Sequence, residues 1–519
     1  AWGAESFERL PQAFNAASFI PPGVVVLSES DPLALGGLAL AAGRGQIPLW
    51  FTRADDSLPA SFSGEITEQQ AAQLRAMLET ELDQVGLPWR AVGDTIDAIT
   101  IAFTLPGRVA SPDGQRDRTS PILALGDYLG RHASGDRYAW TGLLVGDQQQ
   151  GVYSAMCSLF LVPDRAWLFN GYKAEGAFAS YDPSPVRQPL LDFGIEPSVD
   201  TAPFSGVQHW KRRLTRGVTA GLIHVNSSGM RRTFNLNPGV ARGADVPALN
   251  VPAIVHFVHS FSAQDVGDKA SIARRFIDHG AYVYVGSVDE PYLTAFGTPE
   301  QFVRRLLAYA PVGAAARHDA SPPWKINIYG DPLTTVGPRA KRVETDLEQP
   351  GAVDVEERMR STLKDGRYAE AAEALLLLGR DADLTRLYNA ARANPDAAVD
   401  APFARAAFSA LFRTGERDAM LDAASRLGPK GLNNTPMQDM LWHAFDAAQG
   451  ASAVSPQAAE ALRNNLRGSN LVEDAEDAAS ATNLAEGPQS ARAFLERLIG
   501  ETRNERTKQR LADLLGRYQ

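Results

Sequence analysis

Leu222-Ile223-His224-Val225-Asn226-Ser227-Ser228-Gly229, followed further on by Ala253-Ile254-Val255-His256-Phe257-Val258-His259-Ser260, is the pair of segments on which the fold turns. Each is a short apolar, β-branched run that stops abruptly in small polar residues. A run of this length, too short for a helix and bounded by Ser and Gly, reads as a buried strand ending in a loop. Helical spacing follows over Ser271–Asp278, closed by His279-Gly280. A strand Ala281–Val285 then leads into Gly286-Ser287, a helix covers Phe302–Ala310, and Ile326-Asn327-Ile328-Tyr329 reads as a last strand.

The same alternation holds toward the N-terminus. Val24–Leu27, Ile47–Phe51 and Ala98–Leu105 read as strands. Ser30-Asp31-Pro32 caps a helix over Leu33–Ala42, and Thr67-Glu68-Gln69-Gln70 opens another that stops at Gly86. Strand–helix alternation of this kind predicts an α/β fold, a mainly parallel sheet flanked by helices. Val24–Leu27, Ile99–Phe103, Leu222–Val225, Ile254–Val258 and Tyr282–Val285 are expected as neighbouring central strands. Between them, Pro121–Leu129 reads as helix, Gly151–Met156 as a helical turn, and Tyr138–Val145 and Ser158–Phe169 as strands.

After Pro338 the composition changes. The expected organisation is an N-terminal α/β subdomain (1–215), a second subdomain (216–338), a polar linker (339–354) and an all-α region (355–519). Within the last, Gly366-Arg367-Tyr368-Ala369-Glu370-Ala371-Ala372 and Gly415-Glu416-Arg417-Asp418-Ala419 suggest helical hairpins. Their period is near the ~34 residues of tetratricopeptide repeats, so the region is read as a helical repeat or bundle.

Composition narrows the function. The net charge is −10, and the strongest basic run, Lys211-Arg212-Arg213 with Arg216, is short. That run reads as a solvated helix face, and nucleic acid is not an expected partner. No apolar run approaches the ~18 residues of a membrane span. The single cysteine, Cys157, excludes an internal disulfide and a Cys-rich metal site, and its apolar setting reads as core rather than nucleophile. Gly36-Gly37 and Gly43-Arg44-Gly45 lack the spacing and the following Lys-Ser/Thr of a phosphate loop. Asp94, Asp97, Asp113 and Asp127 admit a cation site but read as caps and turn formers. No cofactor or metal is expected. The start at Ala1-Trp2-Gly3 fits a processed chain, which makes a periplasmic or extracellular location an expectation beside a cytoplasmic one.

The order of elements over residues 215–335 resembles the catalytic half of the caspase-like clan, above all the gingipain-type cysteine peptidases. There, one strand ends in a His-Gly pair and the next at the Cys nucleophile. A helix and a further strand closing on Gly-Ser follow. In this chain Ser228 precedes Gly229 at the first position, Ser260 and Ser262 compete for the second, and Tyr284-Val285-Gly286-Ser287 closes the set. Pro311-Val312-Gly313 and Tyr329-Gly330-Asp331-Pro332 also fit. The resemblance implies a peptidase fold whose His and Cys positions both hold serine.

Thiolate attack needs a sulfur activated by an imidazole, and a serine needs a positioned base. His224, His256 and His259 are the candidate replacements. The expectation is therefore a catalytically inactive peptidase-like protein that binds a protein or peptide, with Gly286, Ser287, Asp289 and Glu290 rimming the cleft. Two alternatives stand beside it. One is a hydrolase using Ser260 or Ser262 with a nearby histidine, and the other a structural component of a cell-envelope or surface assembly.

Overall fold

The computed structural model describes residues 12, 16, 18–51, 58–111, 121–173, 175–317, 324–338, 354–395, 397, 399–429, 431–445 and 454–518. Asp113 and all but Asp354 of the expected 339–354 linker lie outside these residues. The chain forms two compact units, one of 1–207 with 219–341, the other of 208–218 with 342–519.

The first unit is built on one ten-stranded sheet. In chain order its strands are β1 (Gly23–Leu27), β2 (Ile47–Trp50), β3 (Ala98–Ala102), β4 (Trp140–Leu143), β5 (Arg165–Asn170), β6 (Glu196–Asp200), β7 (Leu222–Asn226), β8 (Ala253–Val258), β9 (Ala281–Ser287) and β10 (Ile326–Tyr329). Across the sheet the order is β2-β1-β3-β4-β10-β9-β8-β7-β5-β6. All neighbours are parallel except β9 and β10, which pair antiparallel with Ser287 opposite Ile326 and Tyr284 opposite Tyr329. The sheet thus consists of two parallel blocks running in opposite directions. Segments 1–215 and 216–338 both supply strands to it.

β1, β3, β7, β8 and β9 are buried along their whole length. A parallel strand covered by helices on both faces has no polar side to show, so its sequence is a continuous apolar run rather than an alternation. The edge strands differ. β2 carries Pro48 and β6 carries Pro197, residues that suit edges because they donate no ladder hydrogen bond.

The helices are held by the signals expected of them. Thr67 caps Glu68–Val85 in a reciprocal box with Gln70, and Gly86 closes it in the left-handed region at φ 72°. Asp31 accepts from Leu33 N at 3.0 Å and from Thr104 N at 2.7 Å, tying the helix Ala34–Arg44 to the end of β3.

Three expectations are corrected. The five expected central strands are not one contiguous set, because β4 and β10 stand between β3 and β9. Pro121–Leu129 is not one helix, since Ile122–Ala124 pairs antiparallel with Arg108–Ala110 in a small second sheet and only Leu125–Leu129 is helical. Ser158–Phe160 belongs to the helix Gln148–Phe160, which Asp147 and Gln150 cap, and the strand begins at Arg165.

In the second unit the described residues from Val355–Lys364 to Glu505–Leu515 form helices joined by short turns and contain no strand. Among the described residues its helices begin at Val355, Tyr368, Asp381, Ala401, Arg417, Thr435, Pro456, Leu471, Pro488 and Glu505, too unevenly for one repeat length. Its polar core is a buried triad in which Arg467 reaches Asp439 at 2.6 Å and Asp474 at 2.7 Å, with the guanidinium over the Trp442 ring. Gln208–Val218 groups with these helices. In the helix Val207–Leu214, Trp210 and Leu214 are buried while Arg212 and Arg213 face solvent. Among the described residues no helix is long and apolar enough to cross a membrane.

Candidate functional site

Four parallel strands, β5, β7, β8 and β9, deliver their carboxyl ends to one edge of the sheet. The register places Asn170 beside Asn226, and Asn226 beside Val258. Ser228, His259, Ser260, Ser262, Gly286, Ser287, Asp289 and Glu290 lie at or just past these ends, with His224 and His256 deeper in the strands.

Ser228 follows β7 by two residues and is exposed. Its Oγ accepts from Asn235 Nδ2 at 3.2 Å, and its carbonyl from Asn235 N at 2.7 Å, so the small three-stranded antiparallel sheet within 229–242 folds back on it. Ser260 is half-buried, and its Oγ donates to Glu290 Oε1 at 2.9 Å. Between Ser260 and Ser262, Phe261 adopts φ 63°, a left-handed conformation uncommon outside Gly, Asn and Asp. The turn sends the two serines to different places. Ser262 is fully buried, and a methyl group added to Gly286 would come within 2.5 Å of its Oγ, so only glycine fits there. Ser260 alone of the two faces the rim.

Gly286 and Ser287 are the last residues of β9, buried, with Ser287 Oγ donating to Asp289 O at 2.6 Å. Asp289 is 8% exposed and accepts from Glu290 N at 2.7 Å, while Glu290 is exposed. The exposed rim is therefore formed by Glu290, Ser260 and Ser228, with Gly286 and Ser287 beneath it.

The three histidines are all in the core. His259 is 1% exposed, its Nε2 is 3.1 Å from Thr233 O, and its ring packs edge-on against Phe257. Burial pushes its pKa down to about 4 against the smaller upward pull of the Thr233 carbonyl. His224 and His256 are cross-strand partners on the opposite face, with Nδ1 atoms 3.1 Å apart. His224 Nε2 is 2.8 Å from Asn226 Oδ1, and Asn226 Nδ2 donates to Tyr181 O and to Asn170 Oδ1.

The direction of this chain is fixed by its polar end. The amide nitrogen of Asn226 is committed to Tyr181 and Asn170, so its oxygen must accept from His224 Nε2–H. Neutral His224 then accepts at Nδ1 from His256 Nδ1–H. His256 Nε2 is left as a bare lone pair among apolar groups, with the Phe302 ring centroid 4.1 Å from its own. Burial holds His224 down to about 4 and His256 well below its usual range, the latter assisted by the neighbouring His224.

The remaining candidates among the described residues are engaged in structural contacts. Asp94 and Asp97 accept from the Ala91 and Gly93 amides, as turn formers do, and Asp127 is buried against Arg131, Arg137 and Arg317. Among the described residues no group of three His, Cys, Asp or Glu is placed to hold a metal ion. Cys157 is 6% exposed within the helix Gln148–Phe160, and burial pushes its thiol up to about 11. A thiol-specific reagent at pH 7.5 should leave it unmodified until denaturant is added. Modification of the native protein as fast as a free thiol would contradict the buried placement.

What the site presents is a set of neutral buried imidazoles below a rim of hydroxyls and one carboxylate. No protein-family model, curated protein or solved structure matches this chain. Two contributors escaped the sequence reading, Asn170 and Tyr181. A signal for the first was present, since Asn170, like Asn226, is a lone amide ending an apolar strand.

Proposed function

We propose that the chain is a gingipain-type peptidase relative without peptidase activity, which binds a protein or peptide segment along the carboxyl ends of β5, β7, β8 and β9. The observation that carries this reading is the commitment of Ser260 to Glu290, while His259 next to it turns its Nε2 to the Thr233 carbonyl. A hydroxyl becomes a nucleophile when a base takes its proton, and the base that Ser260 meets, the solvent-exposed carboxylate of Glu290, is of a weaker kind than an imidazole. His224 and His256 lie on the other face of the strands, paired with each other, and offer none to Ser260 or Ser228. The left-handed Phe261 and the buried Ser262 further support a cleft built for shape.

The test is a peptide-library turnover assay on the wild type and on Ser260→Ala and Ser262→Ala variants, with fluorophosphonate labelling in parallel. A positioned base contributes about 10²–10⁴-fold to rate. The expected result is no turnover above the buffer rate, no label, and no difference between the three proteins. Wild-type turnover that vanishes in either variant would establish a serine hydrolase instead.

A further inference from the structure

From β5 the chain moves outward to β6, whereas from β7 it moves through β8 to β9 in the opposite direction. Strand order therefore reverses between β5 and β7. In open α/β sheets the crevice outside the carboxyl ends at such a reversal is where ligands bind. Gly171, the first residue past β5, packs so tightly there that a Cβ would lie 2.7 Å from Asn226 O.

Here the chain itself fills the crevice. Tyr181 enters it with its ring 4% exposed. Its main-chain carbonyl accepts from Asn226 Nδ2. Its phenol lies 2.6 Å from Leu293 O and 2.8 Å from Phe296 O. Tyr172, whose hydroxyl donates to Ser227 O at 2.6 Å, packs edge-on to the Tyr181 ring. The rest of the turn Gly176–Tyr181 is different, because Glu175 through Ser180 are exposed and Phe178 lies on the Tyr172 ring. A turn held by Tyr181 and by the stacking of Phe178 on Tyr172, and otherwise exposed, has few contacts to lose when it opens.

The groups that hold Tyr181 read one amide carbonyl and one phenol, the chemical signature of a tyrosyl residue within a peptide. The carbonyl reader keeps its place without Tyr181, since Asn226 Nδ2 also donates to Asn170 Oδ1 and Asn226 Oδ1 lies 2.8 Å from His224 Nε2. We infer that this crevice is a recognition pocket for a tyrosyl residue of a peptide, and that Tyr181 occupies it as a built-in competitor on a strap, Gly176–Tyr181, that lifts to admit the ligand. The inference rests on Asn226, Leu293, Phe296 and the strap, and stands whether or not Ser260 has any chemistry.

Amide hydrogen exchange on the wild type, together with binding of N-acetyl-tyrosinamide to a Tyr181→Ala variant, tests it. Strap amides 176–181 should exchange on the order of 100-fold faster than those of 222–226, and faster still with the probe present. Tyr181→Ala should melt at a lower temperature and regain stability saturably with N-acetyl-tyrosinamide, but not with N-acetyl-alaninamide. Tyr181→Phe, which keeps the ring, should speed exchange of the strap alone. Strap amides that exchange only together with β7 overturn the inference, even if Tyr181→Ala fails to fold. A folded Tyr181→Ala protein that ignores the tyrosyl probe overturns it equally.

Discussion

Val255→Asp will leave no cooperatively folded sheet unit. Val255 is fully buried in β8, paired with Ile223 of β7 on one side and Tyr284 of β9 on the other. It therefore sits within the block of strands that carries the site. A carboxylate placed there meets two strands whose backbone hydrogen bonds are already made. An uncompensated buried charge costs on the order of 3–5 kcal/mol or more. A domain has about 5–15 kcal/mol to lose. Val255→Ala removes only two methyl groups and should cost about 2 kcal/mol, which the unit survives. The pair thus separates charge from cavity. Circular dichroism melts and urea titrations of the two variants check the prediction. A Val255→Asp protein that melts at the wild-type temperature would show that β8 is not central.

How legible was this arrangement in the residues? The strands of the core were, because Val24–Leu27, Leu222–Asn226 and Ala253–Val258 are covered on both faces and so are apolar throughout. The direction of β10 was not. Ile326-Asn327-Ile328-Tyr329 reads as a strand, but nothing in four residues says that it inserts between β4 and β9 or runs against β9. That depends on contacts made far away in the sequence. Ile122–Ala124 was too short to show any period, and the apolar run through Met156–Phe160 hid the change from helix to strand until Pro163.

The site divides the same way. Ser228 and Ser260 entered through the resemblance to the gingipain-type peptidases, and Glu290 because it follows a strand's carboxyl end, where open sheets place ligands; the structure puts all three just past the ends of β7, β8 and β9. The pairing of His224 with His256 was hidden, since it exists only once β7 and β8 adopt one register. Neither residue reveals its partner alone. Phe261 was hidden too, because an aromatic residue signals core and gives no warning of a left-handed turn. Tyr181 is separated from Asn226 by the whole of β6 and the helix Val207–Leu214, so its role in the crevice appears only in three dimensions.

The same buried histidines make the fold sensitive to acid. Burial depresses the pKa of His224 and of His259 from the ordinary 6.5 to about 4, and holds that of His256 well below 6.5 with the help of the neighbouring His224. The folded chain keeps them neutral while the unfolded chain protonates them as pH falls below 6.5. With the folded values lower than the unfolded ones, stability is present above 6.5 and is lost progressively from there down to about 4. Each of His224 and His259 contributes about 3 kcal/mol to that loss, at about 1.4 kcal/mol per unit of pKa. The groups around the pair offer no relief. His224 and His256 face Phe302 from the helix Pro299–Leu307, Phe296, the amide of Asn226 and each other. Tyr181, whose main-chain carbonyl joins this network through Asn226, stays neutral because burial raises its phenol to about 12. A proton added to His256 Nε2 would enter an apolar wall, and one added to His224 Nδ1 would set two N–H groups against each other. Urea midpoints measured at pH 7.5, 6.5, 5.5 and 4.5 should be level between the first two and then fall steeply. Replacing His224 and His256 together by Gln and Leu should remove much of the slope below pH 6.5 while leaving the unfolding free energy at pH 7.5 within about 1–2 kcal/mol of wild type. A wild-type midpoint unchanged between pH 7.5 and 4.5 would mean that these imidazoles are not held neutral in the core.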